Sequence, residues 1–217
     1  MTTPAPDLLI DGPAEAKATL MLAHGAGAPM DSPFMAAIAC GLGQRGWRVV
    51  RFEFPYMVQT RVSGQRRAPD RLPRLLESFR EQVAQQAGAA PLAIGGKSLG
   101  GRVASLLVDE LAQSHGVRGC LCLGYPFHPP GKPDKLRTDH LAALATPTLI
   151  LQGERDSFGK RGEVVGYRLS PQIQLQWIAY GDHSFKPTRS SGLSEADTWA
   201  AAVGHADQFM AALFNPG

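Results

Sequence analysis

The sequence predicts one α/β domain: a mostly parallel sheet with helices on both faces and no large lid. Three observations carry this. Strand-length apolar runs alternate with segments of helical period along the chain, as parallel α/β architecture requires. No internal repeat and no linker interrupts the alternation, and 217 residues with 44% hydrophobic content can bury one substantial core, so residues 1–217 read as a single domain. Several of the apolar runs end in short polar or glycine-rich loops, and open parallel sheets place their sites at that carboxyl edge.

Taken in order, a lead-in strand lies near Leu8–Ile10, and the apolar run Ala18-Thr-Leu-Met-Leu-Ala23 gives the next strand. A helix follows at about 33–45, then a strand over Arg48–Phe54 and a helix over 71–87. Pro91-Leu-Ala-Ile-Gly95 gives a strand over 92–95, and the helical pattern from Arg102 to Leu111 places a helix over 99–114 directly behind it. In the apolar strand 117–123, Cys120 and Cys122 stand two apart, share one face and read as small core residues. Thr146-Pro-Thr-Leu-Ile-Leu151 gives a buried strand over 147–151, followed by a short helix near 160–168, a strand over 173–179 and a closing helix over 195–213. Two long loops, 55–70 and 124–140, follow strands and therefore rise on the carboxyl edge. Neither is long enough to build a large helical lid, so the site there is open.

Gly96-Lys97-Ser98-Leu99-Gly100 joins a strand to a helix, the context in which a G-x-S-x-G turn projects its serine hydroxyl. The glycines let strand and helix pack around a strained turn without Cβ clashes. A serine hydroxyl is a poor nucleophile at neutral pH, so it needs a base, and the base needs an acid to fix its tautomer and stabilise its cation. Two later strands end in Gln152-Gly-Glu-Arg-Asp156 and Tyr180-Gly-Asp-His183, giving the order Ser98, Asp156, His183. Glu154 and Asp182 compete with Asp156 for the acid, although Asp182 adjoins the base and can hardly orient its ring. The first oxyanion donor is the Leu99 N–H. The second comes from the small-residue loop His24-Gly-Ala-Gly-Ala-Pro29, assigned to the Ala26 N–H with Gly25 and Gly27 as alternatives. His24 precedes the nucleophile and reads as a brace of that loop. For Lys97, a packing or surface role stands beside substrate contact, because adjacent residues of a tight turn point apart.

These segments together resemble the α/β-hydrolase superfamily over about residues 18–213. His24-Gly-Ala-Gly-Ala-Pro-Met-Asp-Ser-Pro-Phe34, Gly95-Gly-Lys-Ser-Leu-Gly-Gly-Arg102, Gly124-Tyr-Pro-Phe-His-Pro-Pro-Gly-Lys132 and Gly181-Asp-His-Ser-Phe-Lys186 resemble a small family of bacterial hydrolases related to dienelactone hydrolases. That family is also similar to the hydrolase-like domain of a eukaryotic chromatin-complex subunit. The sequence departs from dienelactone hydrolases at position 98, serine here and cysteine in them. The resemblance implies an α/β-hydrolase fold and a serine hydrolase of the carboxylesterase kind, cleaving an ester, thioester or amide of a small acyl substrate without metal or organic cofactor. The chromatin-subunit resemblance implies the other reading, a non-catalytic interaction module that keeps the fold.

The net charge of +3 is mild and no nucleic-acid-binding motif is present, so no nucleic-acid partner is expected. No apolar run approaches membrane-spanning length, which excludes a membrane partner of that kind. Cys40, Cys120 and Cys122 make neither a disulfide framework nor a metal-site spacing. Met1-Thr-Thr-Pro-Ala-Pro carries no basic segment followed by an apolar core, so the expected location is cytoplasmic. Arg61, Arg66, Arg67, Arg71 and Arg74 crowd one stretch against a single acid, Asp70, with Lys132, Lys135 and Arg137 in the second long loop. This is either a solvated basic surface or a cradle in which Arg66 and Arg67 bind a substrate carboxylate or phosphate.

Overall fold

The structure, a computed structural model, describes residues 8–86, 88 and 90–215. Seven strands form one sheet: β1 (Leu9–Asp11), β2 (Thr19–Ala23), β3 (Arg48–Phe52), β4 (Leu92–Lys97), β5 (Val117–Leu123), β6 (Thr148–Gly153) and β7 (Ile173–Ile178). Their spatial order is β1-β3-β2-β4-β5-β6-β7. Only β1 runs antiparallel, on the β3 edge. The inner strands β2, β4 and β6 are buried at every position, as strands covered on both faces must be, whereas edge strand β7 alternates half-buried and exposed residues until Ile178.

Helices cover both faces. Helices α1 (Pro33–Gly43) and α6 (Glu195–Phe214) bury Phe34, Ile38, Leu42, Ala206 and Met210 against one side. Helices α2 (Pro55–Ser63), α3 (Leu72–Gln86) and α4 (Leu99–His115) bury Tyr56, Phe79, Val103 and Leu107 against the other. The short α5 (Arg161–Val164) sits between β6 and β7. Between β5 and β6 the chain makes turns and a 3-10 turn at His140–Ala143, and no helical insertion rises over the sheet there. Among the described residues, no helix is long and apolar enough to cross a membrane.

One expected loop is a helix. Residues 55–63 form α2, with Pro55 at its first turn and Gly64 ending it in the left-handed conformation at φ 67°. Pro and Gly mark a helix start and stop here rather than an irregular segment. Elsewhere the differences lie at element ends. Strand β3 stops at Phe52 and α1 at Gly43, β4 continues to Lys97, and the short helix expected near 160–168 closes after Val164. Ala87, the last position expected in α3, lies outside the described residues.

Candidate active site

The carboxyl ends of β4, β6 and β7 bring three side chains together. Ser98 sits between β4 and α4 at φ 51°, ψ −109°, a backbone conformation that a residue with a side chain adopts only under strain. Its neighbours must be small. A Cβ on Gly96 would lie 2.6 Å from the Ala23 carbonyl oxygen, and Gly100 is packed against the same carbonyl.

His183 Nε2 lies 2.8 Å from Ser98 Oγ, and His183 Nδ1 lies 2.8 Å from Asp156 Oδ2. Asp156 is fully buried; its Oδ1 accepts from the Phe158 N–H at 2.9 Å and its Oδ2 also accepts from Gln152 Nε2 at 2.9 Å. With a carboxylate at Nδ1, that nitrogen carries the proton and Nε2 is free to accept one from Ser98. Burial, the largest influence, holds the His183 pKa below its ordinary value; the hydrogen bond to Asp156 opposes it and the charge of Lys97 adds to it. The competing acids are occupied elsewhere. Glu154 accepts from the Tyr180 N–H and from Arg161, and Asp182 accepts from the Ser184 and Lys186 amides of its own turn.

Two supporting side chains, Gln152 and Phe158, escape sequence reasoning, as does the contact that a third, Lys97, makes. Gln152, buried at the end of β6, accepts the Tyr125 N–H at 2.7 Å through Oε1, which aims its amide N–H groups at Asp156 and the Tyr125 and Gly159 carbonyls. A polar residue closing an apolar strand just before the acid is the signal that could have found it. Phe158 stacks on the His183 ring with centroids 4.2 Å apart. Lys97 is buried, and its Nζ donates to the His183 carbonyl oxygen.

The loop after β2 is fixed from beneath. His24, fully buried, donates from Nδ1 to the Gly25 carbonyl at 2.7 Å and accepts the Phe54 N–H at Nε2 at 3.1 Å. The Tyr56 hydroxyl donates to the Gly25 and Ala26 carbonyls. With those carbonyls turned inward, Ala26 lines the cavity beside Ser98; neither its amide nor that of Leu99 donates to a protein acceptor among the described residues.

The cavity over Ser98 is about 350 Å³, walled by the loop over Gly25–Ala28 and by Phe34, Met35 and Phe158. A second, shallower cavity of about 390 Å³ shares Ala26 and Gly27 with it and is lined by Arg66, Arg67, Ala68 and Pro69. The Arg66 guanidinium lies close to Gly27, since a Cβ there would be 3.8 Å from its Nη2. The arginines of this stretch divide. Arg61 is held by Glu53 and Asp31 and Arg74 lies 3.7 Å from Asp70, whereas Arg66 and Arg67 make no ion pair among the described residues.

Comparison with known proteins agrees with this architecture. The family model described as an alpha/beta hydrolase domain matches residues 16–211. Among solved structures, the chain is similar to a dienelactone hydrolase from Anabaena variabilis, at 18% identity and a TM-score of 0.70, covering 95% of this chain and 91% of that one. It is similar to Est1E from Butyrivibrio proteoclasticus at 14% identity and a TM-score of 0.66, covering 94% of each chain. A putative alpha/beta hydrolase of unknown function from Agrobacterium tumefaciens matches at 14% identity and a TM-score of 0.66, covering 99% of this chain and 96% of that one. At these identities the likeness is one of fold.

Proposed function

Since the chain belongs to the α/β-hydrolase family, we propose that it is a serine hydrolase that cleaves an ester or related acyl bond of a small substrate. The observation that carries this reading is the continuous hydrogen-bonded chain from Ser98 Oγ through His183 to the buried Asp156. In this mechanism Ser98 Oγ attacks the acyl carbon while His183 Nε2 takes its proton, and Asp156 balances the imidazolium. The Leu99 and Ala26 amides receive the oxyanion. His183 then returns the proton to the leaving group as the acyl–oxygen bond breaks, leaving an acyl-enzyme. Water, deprotonated by His183, releases the acid and restores Ser98. Thioesters and amides pass through the same steps.

Arg66 and Arg67, beside the oxyanion loop and without carboxylate partners among the described residues, support a substrate that carries a carboxylate or phosphate away from the scissile bond. The reading places the enzyme in the cytoplasm, where the free cysteines 40, 120 and 122 are stable.

The test is labelling with a fluorophosphonate, which phosphonylates an activated serine. The parent protein should carry one adduct, on Ser98, and Ser98→Ala none, with an unfolding midpoint within a few degrees of the parent because little packing is lost. A folded parent protein that takes no adduct refutes the hydrolase reading and leaves the interaction module.

A further inference from the structure

We propose that Lys97 is a positioning residue for His183: its ammonium, buried between the strand carrying the nucleophile and the loop carrying the base, fixes that loop by its backbone and favours the neutral imidazole. The inference rests on the Ser98–His183 reading and adds to it a group outside the three-residue chain.

The geometry is specific. Lys97 closes β4 next to Ser98 and borders the same cavity, and its side chain reaches the loop after β7, where Nζ donates to the His183 carbonyl. The neighbours of His183 are secured by other bonds. The Asp182 N–H donates to the Lys186 carbonyl and the Phe185 N–H to the Asp182 carbonyl, both at 3.0 Å; Arg155 holds the Tyr180 carbonyl and Trp199 the Ser184 carbonyl. The backbone of His183 itself makes one hydrogen bond among the described residues, the one from Lys97. Without it the base would hang from the two ends of its turn. The slot is shaped for this contact: a Cβ on Gly124, which sits at φ +65°, would lie 2.8 Å from both Lys97 Nζ and the His183 carbonyl oxygen. On the other side the ammonium lies 5.4 Å from the centre of the Phe34 ring.

The charge has its own consequence. The titratable groups facing Lys97 are Asp156 from the loop after β6, and Asp182 and His183 from the loop after β7; α1 contributes the Phe34 ring and the end of β5 contributes Gly124. Among the described residues no carboxylate comes within ion-pair distance of Nζ, and the charges that balance the buried cation, Asp156 and Asp182, act at longer range. It therefore acts on His183 in the opposite sense to Asp156. Asp156 makes the imidazolium accessible during the reaction, and Lys97 keeps the resting ring unprotonated and ready to accept. Burial pushes the Lys97 pKa down to about 8, so this influence fades above that pH.

The experiment compares the parent with Lys97→Met, which keeps an unbranched apolar stem and removes charge and donor. Unfolding midpoint, kcat and KM for p-nitrophenyl acetate across pH, and the His183 ring titration by NMR are measured, with His183→Gln to assign the signal. The expected result is a His183 titration and an acid limb of kcat/KM both moved upward by roughly half a pH unit or more, as loss of a nearby like charge requires. Alongside it kcat should fall about tenfold from the loosened base, with KM within about twofold. A variant that is merely less stable, with both titrations unmoved, overturns the proposal. In the parent alone, the Lys97 ammonium should titrate below the ordinary lysine range and the His183 ring signal should inflect a second time at the pH where it does; a ring blind to that step overturns the proposal equally. The ring titrations need no turnover, so a parent that neither hydrolyses ester nor takes a fluorophosphonate refutes the hydrolase reading separately.

Discussion

Asp156→Asn tests the proposed acid at the level of single hydrogen bonds. In the parent the two carboxylate oxygens accept from three donors: His183 Nδ1 at 2.8 Å and Gln152 Nε2 at 2.9 Å on Oδ2, and the Phe158 N–H at 2.9 Å on Oδ1. An asparagine has one oxygen for these three donors and brings two N–H donors of its own. If its oxygen takes the Oδ2 place, the new NH₂ faces the Phe158 N–H. If it takes the Oδ1 place, the NH₂ faces both Gln152 and the ring, and selects the tautomer protonated at Nε2, which cannot accept from Ser98. Gln152 cannot turn to relieve the clash, because its Oε1 is committed to the Tyr125 N–H at 2.7 Å. In either pose the counter-charge to the imidazolium is gone. At an N–O distance of 2.8 Å and an effective dielectric constant of about 20, that attraction amounts to about 6 kcal/mol. A neutral hydrogen bond recovers about 1 kcal/mol of it. The remaining loss of about 4–5 kcal/mol corresponds to roughly a 10³–10⁴-fold fall in kcat/KM. The assay is p-nitrophenyl acetate hydrolysis checked against the rate of fluorophosphonate labelling. Glu154→Gln, whose parent carboxylate serves Tyr180 and Arg161, should stay within a few fold of the parent. An Asp156→Asn protein within tenfold of the parent, or a Glu154→Gln protein more damaged than it, refutes the reasoning.

Two further outcomes concern the substrate. An ester bearing a remote carboxylate should be cleaved faster than a neutral ester of equal leaving group at low salt. That advantage should shrink with added salt, which screens exposed charges, and vanish in the Arg66→Ala, Arg67→Ala double variant; an advantage that survives both would make the arginines ordinary surface. Short acyl chains should be preferred over long ones, because a cavity of about 350 Å³ with no helical lid offers little apolar wall to bury a long chain. Rates that climb steadily from two-carbon to sixteen-carbon acyl esters would contradict this.

What the sequence made legible is what local patterning encodes. The strands β2, β4, β5 and β6 are apolar runs bounded by turn residues, and the glycines beside Ser98 announce a turn whose geometry the structure contains. Helix α2 was hidden because it buries only Tyr56 and Met57 and turns polar and basic residues outward, too weak a periodic signal to outweigh Pro55 and Gly64 read as loop punctuation. The choice among Glu154, Asp156 and Asp182 is a matter of pairing across sequence distance. All three carboxylates lie beyond strand ends, and what distinguishes them is the donor set each one meets. Charge counting met the same limit. Five arginines against Asp70 give a local excess, but Glu53 and Asp31 come from other parts of the chain to hold Arg61, and of the five it is Arg66 and Arg67 that line the cavity beside the loop after β2. Lys97 shows the limit most sharply. Its neighbour in the chain is Ser98, and both border one cavity, but the partner of its ammonium is the carbonyl of His183, 86 positions further along the chain. A parallel sheet gathers the ends of distant strands at one edge, so the hydrogen-bond partner of a residue at the end of β4 can lie in the loop after β7, out of reach of any local pattern.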